Sequence, residues 1–156
     1  MTIGNIDKLI SLSKEKNQLI NEMYGFTKTQ EEEIKKEDME NLNEILDEKD
    51  NLIKKINKID IEFLKVFSQI KKDEKIENIS DLDPEKYPNL KELKDVVTEI
   101  SSTLMTISLL DEENNKNMKK RIEETKLELK KVKEGQRAYK GYNVSMTNSI
   151  LIDEKK

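Results

Sequence analysis

Residues 39–56 read MENLNEILDEKDNLIKKI. Met39, Leu42, Ile45, Leu46, Leu52, Ile53 and Ile56 recur at steps of three and four. Ile59, Phe63, Leu64, Phe67 and Ile70 continue the pattern. That spacing is one face of an α-helix, because 3.6 residues make a turn. The stripe predicts a helix over about 38–70 with Ile53 in its core. Lys49 falls inside the stripe, and it reads as a side chain whose stem lies along the seam while its ammonium reaches water.

Upstream, Ile6, Leu9, Ile10, Leu19, Ile20, Met23 and Tyr24 form a second stripe, with polar Lys16 and Asn17 in its one gap. It predicts a helix over about 4–34, in which Gly25 is a tolerated surface residue. Lys35-Lys36-Glu37-Asp38 separates the two. Asp38 suits an N-cap, since its carboxylate accepts a free backbone N–H, and Glu40 adds negative charge to the first turn. The two helices therefore form a long antiparallel hairpin.

The pattern stops at 71–87, where Ser80-Asp81-Leu82-Asp83-Pro84 and Tyr87-Pro88 hold both prolines of the chain. Proline lacks the amide donor and turns its predecessor away from the helix. A third stripe follows over 88–133: Leu90, Leu93, Val97, Ile100, Leu104, Ile107, Asp111, Asn114, Met118, Ile122, Thr125, Leu129 and Val132. At ~1.5 Å per residue this helix outruns the hairpin, so it overhangs or bends. The stripe thins after Leu110, where Asp111 and Asn114 take apolar positions. The reading is an all-α, coiled-coil-like three-helix bundle over 1–133 and a mobile tail over 134–156. Gly135 and Gly141 mark that tail, and Met146, Ile150, Leu151 and Ile152 are too few to bury themselves. The leftover apolar residues Met118, Ile122, Leu129, Val132, Tyr139, Tyr142, Ile150 and Leu151 form the candidate binding surface.

Composition narrows the function. Charged residues make up 40% of the chain and hydrophobic ones 34%, with four Gly, two Pro, no Cys and no His. Such a chain affords a thin core, which suits helices that each bury a stripe. Without Cys there are no disulfides, thiolate metal sites or cysteine nucleophiles. Without His the commonest acid–base group is missing, and so are the Glu-x-x-His pairs of a di-iron bundle. The run Asp111-Glu112-Glu113-Asn114-Asn115 lacks the Gly and the final Glu of a calcium loop. No phosphate loop, nucleophile elbow or redox motif is present. The reading is a non-enzyme with no metal and no cofactor. The net charge of −4 argues against nucleic acid. Charge is nonetheless uneven: 28–50 carries a net −6 and 116–140 a net +6. Four acids interrupt the basic run, which weakens a membrane-surface reading. No signal peptide is visible, and the longest uncharged stretches, 100–110 and 141–152, are too short to span a bilayer. The expected location is the cytoplasm.

The whole length resembles the FlgN family of flagellar type III export chaperones. The resemblance lies in MENLNEILDEKDNLIKKI, then in Asn114 and Asn117 of DEENNKNMKK. It ends in KVKEGQRAYKGY, with Gly135, Ala138 and the tyrosines, and in the terminal Ile152-Asp153-Glu154-Lys155-Lys156. The related FliT chaperones share the hairpin and the Lys within the stripe. The resemblance implies a protein that binds the C-terminal helices of hook–filament junction proteins, keeps them from assembling early and delivers them to the export gate. It also implies that a C-terminal tyrosine, Tyr142 or Tyr139, docks on the gate protein FlhA. A structural coiled coil or dimerising adaptor shows the same stripes, so a homodimer stays open.

Overall fold

A computed structural model describes the backbone of residues 1–146 and the side chains of residues 1–140. The fold is all-α. Helix α1 spans Thr2–Lys36, α2 spans Met39–Glu74, a 3-10 turn covers Ile79–Asp81, and α3 spans Leu90–Met146. The chain groups into two compact units, Met1–Asn114 and Asn115–Lys156.

In the first unit α1 and α2 form the hairpin. Two backbone bonds close α1: Asp38 N–H donates to Glu33 O at 3.1 Å and Glu37 N–H donates to Ile34 O at 3.2 Å. This is a Schellman motif, and it puts Glu37 in the left-handed region at φ 59°. A residue with a Cβ costs about 1 kcal/mol there. Asp38 then caps α2, its carboxylate accepting the Asn41 N–H at 3.1 Å. The turn is thus written by hydrogen-bonding side chains and backbone, without glycine.

Two apolar clusters hold the bundle. One joins Ile6, Leu9 and Ile10 of α1, Ile70 of α2 and Leu90 and Leu93 of α3, with Leu82 and Tyr87 from the connection. The other joins Ile20 and Met23, Leu52 and Ile56, and Ile100 and Ile107. Each buried Leu or Ile contributes about 1.5–3 kcal/mol. The polar gap in the α1 stripe is bridged to α2 by Lys16, whose Nζ lies 2.7 Å from Asp60 Oδ1.

The connection from α2 to α3 does more than reverse the chain. Glu74 Oε1 accepts a hydrogen bond from the Tyr87 hydroxyl and another, 2.7 Å long, from Thr2 Oγ1. Asn89 Nδ2 donates to Asp7 Oδ1 at 2.8 Å and to Ile3 O at 3.2 Å. These bonds tie the start of α1, the end of α2 and the entry to α3 together.

Three expectations are corrected. Ile53 is 44% exposed, and Leu46 and Leu64 are exposed with it. The buried face of α2 is Leu42, Ile45, Lys49, Leu52, Ile56, Ile59 and Ile70. Leu46 and Ile53 each sit one residue, about 100°, past a buried position, which rotates them off that face. Lys49 is buried instead of reaching water, for a reason given below. Finally, α3 does not stop at 133: its backbone is helical through Gly135 and Gly141 to Met146. A helical glycine costs only about 1 kcal/mol relative to Ala, which good helix formers around it absorb. Of the tail expected to be mobile, 134–146 is therefore helix, and 147–156 lies outside the described residues.

Candidate functional site

The candidate surface is one face of α3 within the second unit. Met118, Ile122, Thr125, Leu129, Val132, Gln136 and Tyr139 follow one another at alternating steps of four and three. This is the spacing of a coiled-coil seam, which keeps one narrow apolar line in view along a helix. The helix forms because most residues around the line are strong helix formers: Lys, Glu, Leu, Arg and Ala. Met118 is half-buried, whereas Ile122, Leu129, Val132 and Tyr139 are between 44% and 59% exposed. Near the end of the line a shallow depression is lined by Val132, Gly135, Gln136, Tyr139 and Lys140. A Cβ at Gly135 would meet nothing within 4 Å, so the helix surface is open there.

Of the residues chosen from sequence, the structure brings Met118, Ile122, Leu129, Val132 and Tyr139 onto this one face. Tyr142 lies in α3, but its side chain is outside the described residues, and so are Ile150 and Leu151 altogether.

The sequence reading missed a polar layer at the end of the first unit. Lys49 Nζ donates to Gln30 Oε1 at 2.9 Å and pairs with Asp111 Oδ1 at 2.7 Å. Three residues after Asp111, Asn114 is 1% exposed and its Nδ2 donates to the backbone oxygen of Thr27 at 3.1 Å. All three helices contribute to the layer. Burying an ammonium is tolerable only when it is paired and hydrogen-bonded, and Lys49 has both kinds of partner. The signal was available, since Lys49, Asp111 and Asn114 are the polar residues that interrupt the stripes of α2 and α3. Gln30 and Thr27 gave no such signal, because they lie past the last apolar residues of the α1 stripe.

Electrostatics single out one further group. The Tyr87 hydroxyl, and after it Thr2, hold the Glu74 carboxyl below its ordinary 4.5. Hydrogen bonds to a carboxylate favour its charged form. Among the described residues, no group of acids could hold a metal ion, and no helix is long and apolar enough to cross a membrane.

The geometry defines a class of protein: an all-α bundle whose third helix shows a narrow, exposed apolar line. The family model for FlgN protein matches residues 1–149, and the chain belongs to the FlgN family of flagellar export chaperones. Among curated proteins and among solved structures, none matches the chain.

Proposed function

We propose that this protein binds hook–filament junction proteins in the cytoplasm, keeps them from assembling early and delivers them to the export gate. The observation that carries this reading is the exposed seam from Met118 to Tyr139 on a chain of the FlgN family. Junction-protein termini must coil with neighbours after assembly, so their apolar stripes need cover before it. A helix that offers a matching stripe covers them in the helix-in-groove manner. The seam is narrow and partly polar at Thr125 and Gln136, which suits a complex that must later let go.

Within this reading, client contacts fall on Met118, Ile122, Leu129, Val132 and Tyr139, continuing to Tyr142, Ile150 and Leu151. Tyr142 or Tyr139 docks the loaded complex on FlhA. The test is co-purification of junction proteins from cytosol with the full chain and with the double variant Ile122→Ser, Leu129→Ser. The wild type should retain a junction protein and the variant should lose it, with helical content unchanged by circular dichroism. Equal retention by both would move the client elsewhere on the molecule.

A further inference from the structure

The charges beside the seam are arranged as regularly as the seam itself. Lys119, Lys126, Lys133 and Lys140 recur every seven residues, each one position after Met118, Thr125, Val132 and Tyr139. Seven residues are close to two turns, so each set is a row running along the helix. One residue is about 100° of rotation, which puts the lysine row just outside Ile122 and Leu129. Lys116, Lys130 and Arg137, together with Glu123, form the next tier outward on that side. The opposite edge, Arg121, Glu128 and Gly135, carries one acid and one base. The seam therefore has one basic border and one neutral border. Lys126 is held by Glu123 at 3.8 Å, a loose surface pair that a closer partner would displace.

We propose that the partner of this seam is an amphipathic helix whose apolar stripe is bordered by acidic residues on the side that meets Lys119, Lys126, Lys133 and Lys140. This rests on the reading of the seam as the client surface and adds the chemistry of the client. Charge at coiled-coil borders chooses partner and direction more than it adds raw affinity. A one-sided border does so strongly, because it favours a single orientation of the incoming helix.

Two other occupants fit less well. A second copy paired antiparallel would set lysine row against lysine row, and paired in parallel it would set lysines against the neutral edge. Neither arrangement gains from the row. A bilayer surface favours a broad apolar face, whereas this one is a single coiled-coil line with Thr125 and Gln136 in it. Glu128, at the seam's other border, would also face an anionic surface unfavourably.

The test uses the full chain and three designed helical peptides with one Leu/Ile heptad, bordered by Glu, Gln or Lys. In anisotropy titrations at low salt the Glu peptide should bind about tenfold more tightly than the Gln peptide, as several border pairs acting together would give. The advantage should shrink as salt rises. In the charge-reversed variant K119E/K126E/K133E the preference should pass to the Lys peptide, with helicity unchanged. Equal affinity for Glu and Gln peptides, or binding of neither, overturns the proposal. So does preferential uptake by phosphatidylserine-containing vesicles, or self-association that excludes every peptide. Should the peptides bind equally while junction proteins still depend on Ile122 and Leu129, the acidic border alone is lost and the client reading stands.

Discussion

Lys49 shows how one residue ties three helices together. Its aliphatic stem occupies a seam position of α2, and its ammonium is shared between Gln30 of α1 and Asp111 of α3. Lys49→Ala would leave Gln30 without its donor and open a cavity, at a cost of about 2–3 kcal/mol. Lys49→Met refills the stem volume and half-exposed Asp111 can turn to water, but Gln30 still loses its donor, so it should cost about 1–2 kcal/mol, less than Lys49→Ala. Urea melts of the two variants decide it; identical midpoints would mean that the layer contributes nothing. Glu74 gives a second test. Its pKa is depressed in the folded state, so its stabilising effect is present above its ordinary 4.5 and is lost as pH falls through the lower folded value. Melting temperature should therefore drop on acidification below 4.5, and Glu74→Gln should flatten that part of the profile. A wild type and variant with parallel profiles would remove Glu74 from the account.

At the scale of the helix, periodicity reports that a face exists but not where its neighbours stand. Leu52 and Ile53 belong to the same stripe in sequence, yet Leu52 is 6% exposed and Ile53 is 44% exposed. Leu52→Ala should cost about 2–5 kcal/mol and Ile53→Ala under about 1 kcal/mol. Calorimetric melting of both separates the two, and equal losses would contradict the rotation of α2 described above. The same limit explains what was legible in this sequence. The helices, the hairpin turn at Asp38 and the line from Met118 to Val132 follow from spacing and capping, which are local. The burial of Lys49, Thr27, Gln30 and Asn114 depends on partners far along the chain, and no local pattern contains them. The end of α3 departs from the local pattern for the opposite reason. Gly135 and Gly141 carry a helix-breaking signal that is real but small, and the residues between and around them outweigh it.

For the molecule as a whole, the buried clusters and the exposed seam fall in different units. The apolar clusters, the polar layer and the Glu74 knot all lie within Met1–Asn114, whereas the seam and its lysine row lie within Asn115–Lys156. Substitutions in the second unit should then change binding while leaving the melting transition of the first where it is. The tyrosines give the sharpest case. Tyr139 is 59% exposed, so its ring has little packing to lose. An aromatic ring with a polar tip is a common binding anchor, since it buries a large rigid surface while its hydroxyl stays hydrogen-bonded. If Tyr139 or Tyr142 docks the loaded chaperone on the gate, Tyr139→Ala or Tyr142→Ala should weaken binding to FlhA by ~2 kcal/mol or more. Folding and client affinity should stay close to wild type. Titration calorimetry of each client-loaded variant against the gate protein is the measurement. A loss in one variant alone would identify the docking residue. Equal affinities for both variants and the wild type would show that the gate reads some other surface, because a ring that anchors a complex cannot be cut back to a methyl group without cost.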